Sequence, residues 1–159
     1  MAHEYRATVC WTREDGAAFT DGRYSRGHVW RFDGGLEVPA SSAPASVPPP
    51  FSRPDAVDPE EAFVASLSSC HMLFVLWFAA KRGFVVDRYE DEAVGVMTKN
   101  ERGKLFVSRV TLNPRIGFSG QAQPSPEDVA DLHHRSHEEC FIANSVLTEV
   151  VVAGLPVHA

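Results

Sequence analysis

Apolar and polar residues change their spacing along the chain, and each change marks an element. Residues 4–13 alternate, with Tyr5, Ala7, Val9 and Trp11 on one face and Arg6, Thr8, Cys10 and Thr12 on the other. That period of two predicts a half-buried strand. Alternation returns from His28 to Phe32; Asp33-Gly34-Gly35 turns, and Leu36 to Val38 supplies the second arm of a hairpin. Residues 39–57 hold six prolines among Ala and Ser, which predicts a long loop, either a lid beside a site or a connector.

From residue 58 to 83 the pattern becomes helical. Asp58 can cap, Pro59 fits the first helical position, and Glu61 stands where a capping box needs an acid. Glu60 and Glu61 suit the positive end of the dipole, Lys81 and Arg82 the negative end, and Gly83 the stop. Such a helix is roughly 36 Å long. Met72 to Ala80 is apolar on every side, which predicts burial all round. The run from Ala62 to Ala80 nearly reaches the length of a membrane span, but Ser66, Ser68, Ser69 and His71 interrupt it. A central helix wrapped by sheet, or by sheet and a partner chain, is the better reading.

Beyond it, Tyr89–Lys99 and Lys104–Phe118 read as the clearest strand pair, joined by a turn at residues 100–103. Ser125-Pro126-Glu127-Asp128 opens a second helix, with Val129, Leu132, Ser136 and Cys140 on one stripe. Leu147 to Ala153 makes a final strand. The order β-β-β-α-β-β-α-β groups its strands, which favours an α+β fold with antiparallel sheets.

Composition narrows the function. The 159 residues suit a single domain, 1–159, with 44% apolar and 23% charged residues. A net charge of −6 argues against nucleic-acid binding. The N-terminal residues carry no apolar signal core, so a cytoplasmic protein is expected. Three cysteines, Cys10, Cys70 and Cys140, are too few for a disulfide framework.

Three chemistries suit the residues present. Cys70 and Cys140 both lie on helices with buried faces and could form a peroxidatic and resolving pair, given a nearby arginine to stabilise the attacking thiolate. Against this, a buried helical cysteine is usually a small apolar packing residue. His133 and His137 stand four apart on one helix with Cys140 close behind, a spacing that can hold zinc. Third, a non-catalytic binding protein on the same fold could hold an apolar ligand in an interface cavity, with Cys70 only as packing. No G-x-S-x-G, G-x-G-x-x-G or P-loop is present.

The run D-P-E-E-A-F-V-A-S-L-S-S-C-H, followed about seventy residues later by H-E-E-C-F-I-A-N-S-V, resembles the OsmC/Ohr family, the osmotically inducible and organic hydroperoxide resistance proteins. Y-S-R-x-H-x-W-R-F-D-G-G points to an OsmC-like branch. The resemblance implies an intertwined homodimer and thiol-dependent reduction of organic hydroperoxides, and in some members hydrogen peroxide. It implies no metal, haem or flavin, with electrons from an external dithiol such as a lipoyl protein. By motif it makes Cys70 peroxidatic and Cys140 resolving. Glu60 matches the acid of the pattern and Arg26 the arginine of the N-terminal sheet, with Arg23 as the substitute. Glu60 stands roughly 15 Å from Cys70 along a straight helix, so it would act through another side chain. Two departures are Phe141 after the second cysteine, where many members have proline, and His71 after the first.

Overall fold

The computed structural model describes residues 2–155. Its elements run β1 (Ala7–Cys10), β2 (His28–Phe32), β3 (Glu37–Ala40), α1 (Pro59–Lys81), β4 (Val85–Asp91), β5 (Val94–Lys99), β6 (Leu105–Leu112), β7 (Pro114–Ser119), α2 (Pro126–Glu139) and β8 (Glu149–Val152). A short 3-10 turn at Ala143–Ser145 precedes β8. The class is the expected α+β, with four strands between the helices where two were read. The chain groups into two units, Met1–Ala62 and Phe63–Ala159.

In the first unit β1, β2 and β3 form an antiparallel sheet with β2 central. Pro39 sits on the edge strand β3, where its missing N–H costs no ladder bond. The apolar face of β1 is not half-buried as its alternation predicts: Tyr5 is 90% and Val9 65% exposed. A sheet of four- and five-residue strands has too little area to bury a face on itself. The proline-rich loop closes on its own ends. Ser41 N–H donates to Val57 O at 3.0 Å and Val57 N–H to Pro39 O at 3.1 Å. The Ser41 hydroxyl, fully buried, accepts Arg53 N–H at 3.0 Å. Asp58 then caps α1, accepting Glu61 N–H at 2.8 Å while the Glu61 carboxylate accepts Asp58 N–H at 3.3 Å.

In the second unit α1 buries Leu67, His71, Val75, Phe78 and Ala79. Leu67 meets Val110 and Leu112 of β6, with Phe63, Val64, Ile142 and Val150 around them. Phe78 and Ala79 meet Leu132 of α2, with Phe84, Val86 and Phe118 from the β4–β7 side. The helix stops at Gly83, whose φ of +78° suits a residue without Cβ. Burial all round is corrected: Leu73 is 59% and Trp77 49% exposed, so one apolar face of α1 is open in the single chain. By length and composition α1 could cross a bilayer, and here its other face is protein core.

The two long strands read from the sequence are each divided. β4 pairs with β7, while β5 pairs with β6 in a separate sheet. The break lies at Asp91–Ala93 and Asn113. The Asp91 carboxylate accepts Asn113 N–H at 2.6 Å, and Asn113 Nδ2 donates to Glu92 O at 2.8 Å. These side-chain bonds replace ladder bonds and let the chain turn from one sheet into the next. The last strand, β8, joins β6 in parallel, against the all-antiparallel expectation. Arg109 and Glu149, opposite each other in that register, form an ion pair at 2.7 Å.

α1 comes close to β5 at Gly95, where an added Cβ would stand 2.5 Å from Val64 Cγ2. Gly95→Ala is therefore expected to destabilise the fold by about 1–3 kcal/mol in urea unfolding, the usual range for overpacking, with the loss largely recovered when Val64→Ala is added. Equal stability of wild type and Gly95→Ala would show that the helix-to-sheet spacing is not fixed there.

A candidate redox site between two helices

α1 and α2 run antiparallel, and side-chain chemistry marks the contact from one end to the other. At the far end the Arg82 guanidinium pairs with Asp128 and, at 3.0 Å, with Asp131 in the first turns of α2. Midway, Phe78 and Ala79 pack on Leu132, and Arg135 lies 4.3 Å over the Phe78 ring. At the near end stand the two cysteines. Cys140 is fully buried and Cys70 half-buried, both as free thiols. Burial pushes the Cys140 thiol up to about 11; Ala143 N–H opposes that, while a hydrogen bond to Cys70 and its charge reinforce it. The two sulfurs are therefore neighbours. The Ala143 N–H reaches Cys140 Sγ at 3.4 Å. Asn144 Nδ2 holds this turn by donating to Glu138 O at 2.7 Å and Cys140 O at 3.0 Å.

Ser125 starts α2 as its sequence predicts, and with Asp128 it forms a capping box: it accepts Asp128 N–H at 3.1 Å, and Asp128 accepts Ser125 N–H at 2.9 Å. The buried stripe is Leu132, His133, Ser136 and then Cys140. Ser136 satisfies its hydroxyl on Leu132 O at 2.6 Å.

Residues 52–153 match the family model described as OsmC-like protein. The chain belongs to the OsmC-like family. Its fold superposes with a TM-score of 0.93 on an OsmC-like protein of unknown function from Vibrio cholerae, at 52% identity over 95% of this chain and 98% of that one. An organic hydroperoxide resistance protein from Elizabethkingia anophelis shares the fold at 18% identity and a TM-score of 0.65, over 96% of this chain and 98% of that one. One from Legionella pneumophila does so at 18% identity and 0.60, over 95% and 98%. No curated protein matches significantly.

Of the OsmC-like site residues read from the sequence, Cys70 and Cys140 are brought together. Arg26 and Glu60 fall in the first unit. Arg26 is tightly arranged there. Its Nη1 donates to Gly22 O at 2.7 Å and to Tyr24 O, and the guanidinium lies 3.7 Å over the Tyr24 ring. Trp30 Nε1–H donates to His28 Nε2 at 3.0 Å, so His28 carries its proton on Nδ1 and donates it to Arg26 O at 2.8 Å. Tyr24 also packs with Phe19 and Trp11, at 4.6 and 5.6 Å between ring centres. Arg23 is exposed, with its backbone N–H on Asp21. Glu60 is half-buried in the first turn of α1. The zinc set is not assembled: His133 is buried and bonded to His71, His137 is exposed, and no group of three ligand residues is placed to hold a metal among the described residues.

What the sequence reading missed is a polar pair in the core. His71 Nε2 and His133 Nδ1 are 2.9 Å apart, with rings parallel at 5.2 Å. Both residues are under 5% exposed. Burial and then the neighbouring His133 and His137 push His71 down to about 3. Burial lowers His133 as well, opposed by Asp91. Both rings are therefore neutral, and one N–H serves the bond. Donation from His71 Nε2–H leaves His71 Nδ1, which is buried without a partner, as a bare acceptor, the cheaper orphan. Asp91, beside His133, is held by Ser68 Oγ–H and Asn113 N–H. Tyr89, on the same strand, has its hydroxyl buried and pushed upward by that burial and by Asp91. The signal for all this was His at 71 and 133 on stripes otherwise apolar or small.

The folded pKa of His71 lies below its unfolded value near 6.5, so its neutral-form stability is complete above pH 6.5 and is lost as pH falls toward 3. His71→Phe is expected to reduce the decline in unfolding free energy between pH 6 and 4.5 by about 1.4 kcal/mol per pH unit, one proton's worth. Urea titrations at several pH values measure it. An unchanged slope would mean that His71 is protonated in the native state.

Proposed function

We propose that the protein is a cysteine-based peroxidase that reduces organic hydroperoxides. The observation that carries this reading is the neighbouring pair of unequal thiols: Cys70 reachable, Cys140 buried and held protonated by that burial, with a smaller contribution from its neighbour. Family membership supports it, since fold relatives bear the name of organic hydroperoxide resistance proteins.

In this scheme the Cys70 thiolate attacks the terminal peroxide oxygen. The O–O bond breaks, the alkoxide takes a proton and leaves as an alcohol, and Cys70 becomes a sulfenic acid. The Cys140 sulfur then attacks the Cys70 sulfur. The S–O bond breaks, the hydroxide leaves with the Cys140 proton as water, and a disulfide remains. An external dithiol, of the lipoyl class, restores two thiols and is itself oxidised to a disulfide. By motif, Arg26 stabilises the thiolate and Glu60 fixes that guanidinium. The stacking of Arg26 on Tyr24 and its two carbonyl bonds suit a cation held in one orientation.

The working form is proposed to be a homodimer. Leu73, Trp77 and Phe141, 59%, 49% and 68% exposed, leave an apolar surface along the helix pair that a second copy would cover. Sedimentation of the reduced protein is expected to give twice the chain mass for wild type and the chain mass for Trp77→Glu. A monomeric wild type would contradict the dimer.

Steady-state turnover of an organic hydroperoxide with a dithiol reductant tests the reaction. Cys70→Ser is expected to abolish it. Cys140→Ser is expected to retain one stoichiometric oxidation without normal recycling. Arg26→Met is expected to lower the second-order rate about 10²-fold or more, as for loss of an electrostatic stabiliser. Unchanged turnover in Cys70→Ser would end the peroxidase reading.

A further inference from the structure

The interior between the helices contains one directional contact that the scheme above does not use. Most of the α1–α2 contact is apolar, through Phe78, Ala79 and Leu132, and apolar packing fixes rotation and sliding only loosely. The Arg82 ion pairs are directional but lie at the far end from the cysteines. The His71–His133 bond differs. Its two rings are sealed from water, so no solvent exchange competes with it. His71 directly follows Cys70 on α1. His133 precedes Cys140 by seven residues, two turns of α2, and shares its buried face with Ser136 and Cys140. Whatever fixes the rotation of α2 at His133 therefore fixes it at Cys140.

Disulfide closure makes a strict geometric demand. The S–S dihedral and the separation of the Cα atoms must fall in narrow ranges, and a displacement of about 1 Å can cost as much as ~10²-fold in rate. The attack of peroxide on Cys70 makes no such demand on α2. We propose that the His71–His133 hydrogen bond is the positioning contact that holds Cys140 in register for closure onto oxidised Cys70. It acts on the resolving step and leaves peroxide attack untouched. The inference rests on the reading of the two cysteines as a redox pair.

Rapid mixing of reduced protein with one equivalent of an organic hydroperoxide separates the steps. Quenching with a carbon nucleophile selective for sulfenic acids reports the first, and loss of two hydrogens in the intact mass reports the second. His133→Leu, which fills the space without the bond, is expected to form sulfenic acid within twofold of the wild-type rate. It is expected to close the disulfide ~10-fold or more slowly, so that trappable sulfenic acid accumulates. His133→Asn, whose amide can occupy the place of Nδ1, is expected to recover most of the closure rate, which restored packing alone would not explain. Should His133→Leu not fold, His133→Gln stands in for it: its amide sits one carbon too far out, and closure is expected to be slow. Closure at wild-type rate in a folded Leu or Gln variant would overturn the positioning role while leaving the redox pair intact. Absence of any sulfenic acid or disulfide in the wild type would overturn the redox reading and this inference together.

Discussion

The packing of α1 against α2 is the contact on which the rest of the second unit depends. It places a residue from the middle of one helix beside the C-terminal cap of another, about seventy positions away in sequence. Its strength is apolar. Phe78 and Leu132 are nearly or fully buried, and each such side chain contributes about 1.5–3 kcal/mol relative to exposure. The His71–His133 bond, at about 1 kcal/mol net, adds little to the total. Its value lies in direction: two neutral rings bond to each other in one relative placement of the helices, and any other placement leaves further buried nitrogen unpaired. Energy from the apolar groups and register from the polar pair are separate contributions.

The same burial sorts the cysteines. A thiol resists ionisation in apolar surroundings, and Cys140 is held protonated by burial before Cys70 adds its part. Cys70 remains the thiol with access to solvent. Inequality of this kind is what a two-step oxidation needs. The first sulfur must meet the peroxide, and the second must stay out of reach of it until a sulfenic acid has formed beside it. On an open surface two thiols would be oxidised indiscriminately.

The elements were legible in the sequence where local chemistry dictates them. Asp58 with Glu61 and Ser125 with Asp128 announced both helix starts, and alternation announced the first hairpin. The division of the long strands was not legible, because it depends on Asp91 reaching Asn113 across the sheet, a contact without local periodicity. The open face of α1 was misread for a related reason. An all-round apolar pattern has no period, so it does not tell a covered side from an open one. In the site, the spacing of Cys70 and Cys140 on helical stripes suggested the pair, but the adjacency of the sulfurs follows only from the packing of the two helices. His133 was read as a candidate zinc ligand beside His137, although four residues on a helix bring two side chains only to the same general side. A rotation of α2 by part of a turn decides that His133 enters the core and His137 meets solvent.

Peptide mapping after one equivalent of an organic hydroperoxide has been added to the fully reduced protein tests the central claim most directly. The account predicts rapid loss of two hydrogens, located to a bridge between Cys70 and Cys140, with Cys10 left as a thiol. Absence of oxidation, or slow oxidation scattered over all three cysteines, would contradict it.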